Sequence, residues 1–212
     1  MRTDDLIHAL VADNRANEMS IERRLGLAVM IGFAFSAALF LMTLGPRPDF
    51  AAALTTPRFV LKIVETLLFA ATAALLLTRL ARPGARMRGA ALAMVAGPSL
   101  LAAAVIVELA LVSPVEWSMK LVGTNSLICL TAIPLLSLPL LAAALSAMTA
   151  GAPTRRALAG AAVGLLASGL AAALYAIHCP DDSPLFVATW YSLAIAAVSL
   201  VGAGAGHSLL RW

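Results

Sequence analysis

The sequence has few charged residues and long blocks without any. Only 12% of its 212 residues are Asp, Glu, Lys or Arg, whereas 61% are hydrophobic. Soluble globular domains average roughly 25% charged and 45–50% apolar residues. This composition excludes an ordinary soluble domain and predicts an integral membrane protein. The apolar blocks leave no room for a second domain outside the membrane.

Six apolar blocks are long enough to cross a bilayer. A helix needs about 20 residues to span the ~30 Å hydrocarbon core. Ala, Leu and Gly dominate the blocks, and none shows the alternation of a membrane β-strand. The backbone inside the bilayer must satisfy its own hydrogen bonds, so we predict an all-α bundle of six transmembrane helices. The predicted spans are 25–44, 59–80, 89–112, 127–148, 157–177 and 185–206, which divide the chain into an N-terminal segment, 1–24, and a transmembrane domain, 25–212.

Basic residues are scarce on one side of the predicted bundle. That side has only Arg47, Arg58, Lys62 and Lys120. The positive-inside rule therefore places the opposite side, with both termini, in the cytoplasm. The net charge of +4 then reflects topology and gives no reason to expect direct nucleic-acid binding. The other 11 of the 15 basic residues lie on that opposite side: Arg2, Arg15, Arg23, Arg24, Arg79, Arg82, Arg86, Arg88, Arg155, Arg156 and Arg211.

The sequence contains only two cysteines and no Cys-x-x-Cys pair. Cys129 begins the fourth predicted span, Cys179 ends the fifth, and the turn 149–156 joins the two spans. At ~1.5 Å per residue, Cys129 lies roughly 29 Å and Cys179 roughly 33 Å above that turn. Both thiols are therefore predicted at the same height, near the outer membrane surface.

Two matched thiols allow several kinds of chemistry. They can form a disulfide if both side chains face the interface between the fourth and fifth spans. With His178 and Asp181 or Asp182 they also make a ligand set that suits Zn²⁺ or Cd²⁺, as a transient metal rather than a certain cofactor. A buried cysteine without chemistry is the alternative for Cys129, since lone cysteines in apolar helices are most often packing residues.

Three charged residues fall in the outer parts of predicted spans. Glu108 is near the outer end of the third span, and Lys62 and Glu65 are near the outer start of the second. Glu108 can pair with Lys62 or belong to a translocation path. Lys62 can also extend to the interface or pair with Glu65 at i, i+3. We favour a structural ion pair, because the predicted spans have almost no polar residues at the midplane.

Glycine patterns in the last two spans predict close helix packing. The fifth span contains Gly160 and Gly164, and the sixth contains Gly202 and Gly206. Such small-xxx-small spacing lets helices approach closely. It does not tell whether the contact lies within one chain or in a homodimer, which stays open.

The N-terminal segment has the pattern of a short amphipathic helix. Thr3 can cap it, and Asp4 and Asp5 in the first turn complement the helix dipole. Such a helix can lie on membrane lipid or dock on a protein. Its acidic polar face favours a protein partner. The apolar face consists of Leu6, Ile7, Leu10 and Val11.

Four stretches carry a resemblance to a known family: TDDLI from Thr3, SLICLTAIPLLSLP from Ser126, GAPTR from Gly151 and ALYAIHCPDDSPLFVATWY from Ala173. Together they resemble the NrsF-type negative regulators of SigF-like extracytoplasmic-function (ECF) sigma factors of proteobacteria. The resemblance implies a six-helix inner-membrane anti-sigma factor, without enzyme activity, that holds a sigma factor inactive at the cytoplasmic face. It also implies release under heavy-metal or oxidative stress, with Cys129 and Cys179 as the cysteines that respond.

The residues and the resemblance lead to one hypothesis. A reaction at Cys129 and Cys179 shifts the hairpin of the fourth and fifth spans and weakens a sigma-binding surface made by residues 1–24 and the arginine-rich turns. Two other classes compete with it. A membrane thiol oxidoreductase usually needs a Cys-x-x-Cys pair, and a metal or small-solute transporter needs polar residues at the midplane.

Overall fold

The computed structural model describes residues 3–5, 19–82, 84–151 and 153–210, and the regular secondary structure in this part of the chain is entirely helical, without a strand. Six helices are long and apolar enough to cross a membrane. The predicted all-α membrane bundle is therefore confirmed. The spans are Ile21–Thr43, Pro57–Leu80, Arg88–Leu111, Pro114–Met148, Arg156–Ala176 and Pro184–Leu209.

Several spans are built from more than one helix. Two short helices precede the main helices of the third and fourth spans, and the sixth span starts with one turn of α-helix and a π-helical segment, Val187–Tyr191. Such π-helical segments are frequent at functional sites. In chain order the α-helices are α1 (Ile21–Thr43), α2 (Phe50–Ala53), α3 (Pro57–Leu80), α4 (Arg88–Ala93), α5 (Ala96–Leu111), α6 (Pro114–Val122), α7 (Ser126–Met148), α8 (Arg156–Ala176), α9 (Pro184–Phe186) and α10 (Ser192–Leu209).

Helix α8 is the centre of the bundle. Its most apolar stretch is 72% buried, against 22% for the first span and 17% for the third. It packs against α3, α7 and α10. Alanine and glycine dominate its sequence, and small side chains let three neighbours approach it at once. The first and third spans therefore present most of their surface to the membrane.

Glycines form the contact between α8 and α10. A Cβ atom added to Gly160 would lie 2.1 Å from the carbonyl oxygen of Gly202, and one added to Gly164 would lie 2.6 Å from that of Val198. A Cβ on Gly206 would lie 2.6 Å from the Cα atom of Gly160. The small-residue pattern thus serves a contact within the chain. Gly204, on the same helix, faces open space.

Helix α1 packs on α7 at its proline-containing part. A Cβ on Gly32 would lie 2.8 Å from the Cα atom of Leu140, and the Ser36 hydroxyl donates to the carbonyl of Leu136 at 2.7 Å. Helix α7 continues through Pro134 and Pro139. The hydrogen bond from Ser36 attaches α1 to the backbone of α7 between the two prolines.

The loops divide between two ends of the bundle. The cysteine end comprises the segments 44–56, 112–125 and 177–183, and the arginine end comprises the described parts of 19–24, 79–88 and 149–156. At the arginine end Arg82 pairs with Glu22. Asp4 and Asp5 are helical and exposed. The other predicted partner-binding residues, Leu6, Ile7, Leu10 and Val11, lie outside the described residues.

Candidate functional site

The two cysteines lie in one buried cluster at the cysteine end. Cys129 is in the first turn of α7, where its N–H donates to the Asn125 carbonyl at 2.8 Å. Cys179 directly follows α8, and its N–H donates to the Tyr175 carbonyl at 3.0 Å. Both are free thiols with no exposed surface. Tyr175 and Tyr191 belong to the same cluster.

A buried lysine holds the loop that contains Cys179, residues 177–183, which we call the Cys179 loop. The ammonium of Lys62, on α3, donates to the carbonyls of Cys179 at 2.9 Å and Asp181 at 3.3 Å, and it forms an ion pair with Asp182. The Lys62 side chain is 0% exposed. A buried charge is tolerated only when it is paired and hydrogen-bonded, and here all three N–H groups have acceptors. The predictions that Lys62 extends to the interface, or pairs with Glu65 or Glu108, were wrong.

Arg47 fixes the same loop from the segment between α1 and α2. Its Nη1 atom donates to Asp182 at 2.8 Å and to the Cys179 carbonyl at 3.4 Å, while Nε and Nη2 donate to Asp49, both at 2.7 Å. Hydrogen bonds to Asp49 and then Asp182 raise the pKa of Arg47. The same guanidinium holds the pKa of Asp49 below its ordinary value. Asp182 is therefore shared between two cations from different parts of the chain.

Asp181 connects the Cys179 loop to the helix that carries Cys129. Its carboxylate accepts from the backbone N–H of Thr124 at 3.0 Å and of Asn125 at 2.9 Å. These groups are at the N-terminus of α7, where a negative charge is favourable. Cys129 lies about one turn further along the helix. Asp181 thus ties together the two segments that bear the thiols.

His178, Asp181 and Asp182 all have structural partners. The Nδ1 atom of His178 lies 3.0 Å from the Gly45 carbonyl oxygen, and both aspartates are engaged as described above. Within the described ranges, no group of three or more His, Cys, Asp and Glu side chains could hold a metal ion. A soft metal held by Cys129 and Cys179, with these three residues as accessory ligands, stays a prediction.

Burial suppresses the reactivity of Cys179 in this state. Desolvation raises the pKa of its thiol, against the smaller opposing effect of Lys62. The thiolate is the nucleophile and the metal-binding form, so reaction requires the loop to open. The hydroxyls of Tyr175 and Tyr191 are buried beside this thiol without a hydrogen-bond partner of their own in the part of the chain described.

Glu108 is part of an ion pair that borders the loop. Its carboxylate accepts from Arg58 Nε at 3.0 Å and Nη2 at 2.9 Å, and from the Ser183 hydroxyl at 3.3 Å. The predicted structural ion pair exists, but Arg58 is the partner in place of Lys62. One carboxylate oxygen of Glu65 is buried without a hydrogen-bond partner among the described residues.

The roles of Arg47, Lys62 and Asp181 were missed at the level of sequence. Two signals pointed to Lys62 and Asp181, and none pointed to Arg47. A lysine inside an apolar span requires a partner, and Gly123, Thr124 and Asn125 before an apolar run are typical of a helix start that needs an acceptor. Asp182 is the partner of Lys62, and Asp181 is the acceptor at the start of α7.

The fold and the site define a class: a polytopic α-helical membrane protein with a buried thiol pair at one end. The family model described as NrsF, negative regulator of sigma F, matches residues 10–212. The chain therefore belongs to the NrsF family. No solved structure matches the chain.

Two curated relatives match over their full length and that of this chain. One, from Caulobacter vibrioides (strain NA1000 / CB15N), is named anti-sigma-F factor NrsF and is 41% identical over 217 residues, covering 100% of both chains. The other, from Azospira oryzae (strain ATCC BAA-33 / DSM 13638 / PS), is named probable anti-sigma-F factor NrsF and is 38% identical over 216 residues, with the same coverage.

Proposed function

We propose that this chain is a bacterial inner-membrane anti-sigma factor that binds an ECF sigma factor at its arginine end and releases it when the thiol pair at its cysteine end reacts. The observation that carries the anti-sigma role is family membership over nearly the whole chain, with relatives of 41% and 38% identity at full coverage. The sensing role rests on the geometry of the thiol cluster.

The charge distribution supports a cytoplasmic arginine end. Arg82, Arg86, Arg88 and Arg155 are exposed there, and cytoplasmic loops of membrane proteins are enriched in such residues. Both termini then face the cytoplasm, where a sigma factor is found. The cysteine end faces the periplasm, an oxidising compartment in which free thiols are chemically exposed to stress.

Two reactions at the thiols fit a stress sensor. Two thiols and one hydroperoxide, ROOH, give a disulfide, ROH and water. Alternatively, a soft divalent ion such as Cd²⁺ displaces one proton from each thiol and binds both sulfurs. Changing a bound fraction from 99:1 to 1:99 requires about 5.5 kcal/mol of differential free energy. A disulfide typically contributes about 2–4 kcal/mol and a metal site more, so either can supply much of this difference.

The hydrogen bonds of the Cys179 loop support transmission from the thiols to the rest of the bundle. The loop contacts α3 through Lys62, α7 through Asp181 and the segment after α1 through Arg47. Any reaction that moves Cys179 therefore disturbs three spans at once. These spans run to the arginine end. Because α8 and α10 are in close backbone contact, a displacement at the cysteine end is not taken up by movement between these two helices.

For the partner-binding element we propose the N-terminal segment. Its predicted apolar face, Leu6, Ile7, Leu10 and Val11, suits a groove on the sigma factor, and Asp4 and Asp5 begin the predicted helix. The exposed arginines of the arginine end add charge for an acidic region of the partner.

Co-purification tests the partner and the element together. Full-length protein in nanodiscs is incubated with each ECF sigma factor of the same cell, as wild type, Leu10→Asp and Ala12→Asp. Ala12 falls on the opposite face of the predicted helix, so its variant adds the same charge away from the partner. We expect one sigma factor to bind wild type and Ala12→Asp and to lose affinity for Leu10→Asp. The absence of any bound sigma factor would contradict the proposed function.

A further inference from the structure

Helix α6 is amphipathic, yet the described part of the chain leaves its apolar face uncovered. Val115, Met119 and Val122 are 87%, 67% and 49% exposed. Spaced at i, i+4 and i+7, these three side chains share one face of the helix. Glu116 and Lys120 form an ion pair on a different face. A continuous exposed apolar face of this kind is typical of a surface that contacts a protein or a membrane.

The position of α6 in the chain places it at the membrane boundary. Helix α7 alone has 23 residues, which gives about 35 Å at ~1.5 Å per residue and is enough to cross a hydrocarbon core of ~30 Å. Gly123, with a φ of +59°, separates α6 from α7. Helix α6 is therefore not needed for crossing, and it lies between the ends of α5 and α7 at the cysteine end.

Two tryptophans flank α6 at this boundary. The indole N–H of Trp117 donates to the Val112 carbonyl at 3.1 Å, and that of Trp190 donates to the Leu121 carbonyl at 2.8 Å. Tryptophan is enriched where hydrocarbon meets water, because its ring is apolar and its N–H requires an acceptor. Both indoles join α6 to the ends of spans at the depth expected for the membrane interface.

The exposed face of α6 is part of a longer run of uncovered apolar side chains. Helices α5 and α7 belong to spans, so their uncovered apolar side chains contact acyl chains. The leucines that end α5 and begin α7 are 77% and 75% exposed. This continuity selects lipid as the occupant of the α6 face. The run consists of Leu111, Val115, Met119, Val122 and Leu127.

We propose that α6 is an in-plane membrane anchor, which lies in the headgroup region at the cysteine end with Val115, Met119 and Val122 directed toward the acyl chains. Short amphipathic helices bind membranes in this way, with the apolar face about 5–10 Å into the boundary. The anchor does not depend on the proposed anti-sigma role.

The anchor is attached directly to the Cys179 loop. The backbone N–H groups of Thr124 and Asn125, which follow α6, donate to the Asp181 carboxylate. A Cβ atom added to Gly123 would lie 2.5 Å from the Phe186 ring and 2.8 Å from the Asp181 carboxyl carbon. Lipid contact of α6 therefore fixes the height of the segment that holds the loop closed.

Spin labels on single cysteines measure which face of α6 meets lipid. Full-length protein carrying Cys129→Ser and Cys179→Ser is placed in phosphatidylcholine nanodiscs, and the label is attached to Val115→Cys, Met119→Cys or Glu116→Cys. Collisions with oxygen, which dissolves in hydrocarbon, are compared with collisions with a water-soluble nickel chelate, which does not. The glutamate position is the matched control, because it lies on the same helix but on a different face.

Labels at Leu138→Cys, on the exposed side of α7, and at Asp49→Cys calibrate lipid and water. We expect the oxygen-to-chelate ratio at Val115 and Met119 to exceed that at Glu116 at least about threefold and to approach that at Leu138. Equal ratios at the three α6 positions would place the helix in water. Few collisions with either reagent at Val115 and Met119 would show a covering protein, such as a second copy. Either result would overturn the anchor.

Charges on the apolar face test the attachment to the loop. Val115→Glu with Met119→Glu disfavours lipid contact, whereas Val115→Leu with Met119→Leu preserves it. Both positions are exposed, so neither pair of substitutions disturbs the core. In a Cys129→Ser background, maleimide should label Cys179 at least about fivefold faster in the glutamate variant and at the parental rate in the leucine variant. Equal rates in the two variants would overturn the attachment of the loop to a membrane anchor.

Discussion

Replacing Lys62 by methionine removes the cation that holds the Cys179 loop to α3 while keeping a long, unbranched side chain. The carbonyl of Asp181 then loses its ammonium donor, and the Cys179 carbonyl and the Asp182 carboxylate keep only Arg47. Because the Lys62 side chain is 0% exposed, solvent does not screen the loss. We expect the loop to open much more often, while the transmembrane helices stay folded.

The magnitude follows from the burial of the pair. Removing one partner of a buried ion pair costs about 3–5 kcal/mol. Since Arg47 still compensates Asp182, we expect a value near the lower limit, about 3 kcal/mol. At about 1.4 kcal/mol per factor of ten, the open fraction of the loop rises about 100-fold. By contrast, Lys120→Met removes a partly exposed pair with Glu116 at 3.6 Å and should cost about 0–1 kcal/mol.

Maleimide labelling of Cys179 measures the opening. In a Cys129→Ser background Cys179 is the remaining thiol, and a buried thiol reacts through the open state at a rate proportional to the open fraction. Labelling of Lys62→Met should be about 100-fold faster than that of the parent, whereas Lys120→Met should match the parent. A change of less than about threefold in Lys62→Met would refute the assignment of Lys62 as the residue that closes the loop.

Three further predictions follow from the same contacts. Gly160→Ala places a Cβ atom 2.1 Å from a backbone oxygen of α10 and should lower the free energy of unfolding by about 1–3 kcal/mol. Gly204→Ala, whose Cβ atom enters open space, should leave it unchanged. Equal thermal unfolding midpoints for the two variants would contradict the close contact between α8 and α10. Asp181→Ala removes the acceptor for the Asn125 N–H and should destabilise the start of α7 by about 0.5–2 kcal/mol. Backbone amides in the first turn of α7 should then exchange faster with solvent. Unchanged exchange would contradict the role of Asp181 as the cap of this helix. Because burial raises the pKa of Cys179, its labelling rate should keep increasing at pH values well above the ordinary thiol pKa of about 8.5, where the rate of an exposed cysteine has levelled off. A rate that levels off with the ordinary pKa would show an exposed thiol.

The spans were predictable because the bilayer imposes one requirement on all of them. The predicted spans 127–148 and 59–80 differ from the observed helices Ser126–Met148 and Pro57–Leu80 by two residues or fewer at each end. The division of the third span into α4 and α5, the separate helix α6 and the π-helical segment were not predicted. These depend on tertiary packing, since an almost uniformly apolar sequence has no periodicity that marks a break.

The thiol site was predictable in position but not in its partners. A short turn between two spans places Cys129 and Cys179 at one depth by helix rise alone. Which residues surround them depends on the order of the helices around α8, which the sequence does not encode locally. Lys62 and Asp182 are 120 residues apart, so the prediction assigned Lys62 to nearby or similarly placed acids instead.

The glycine patterns show the same limit in packing. Their spacing correctly predicted a close helix contact, but spacing cannot distinguish a neighbour in the same chain from a second copy. The structure shows that Gly160 and Gly206 face each other between α8 and α10. A homodimer, which was left open, would therefore need another surface.

The most direct test of the account is release of a bound sigma factor from purified complexes in nanodiscs. Wild type and the double variant Cys129→Ser, Cys179→Ser are each treated with cadmium or with a hydroperoxide, and the retained sigma factor is quantified. We predict that wild type releases its partner and that the double variant retains it under both treatments. Equal release from both proteins, or no release from wild type, would contradict the thiol pair as the trigger.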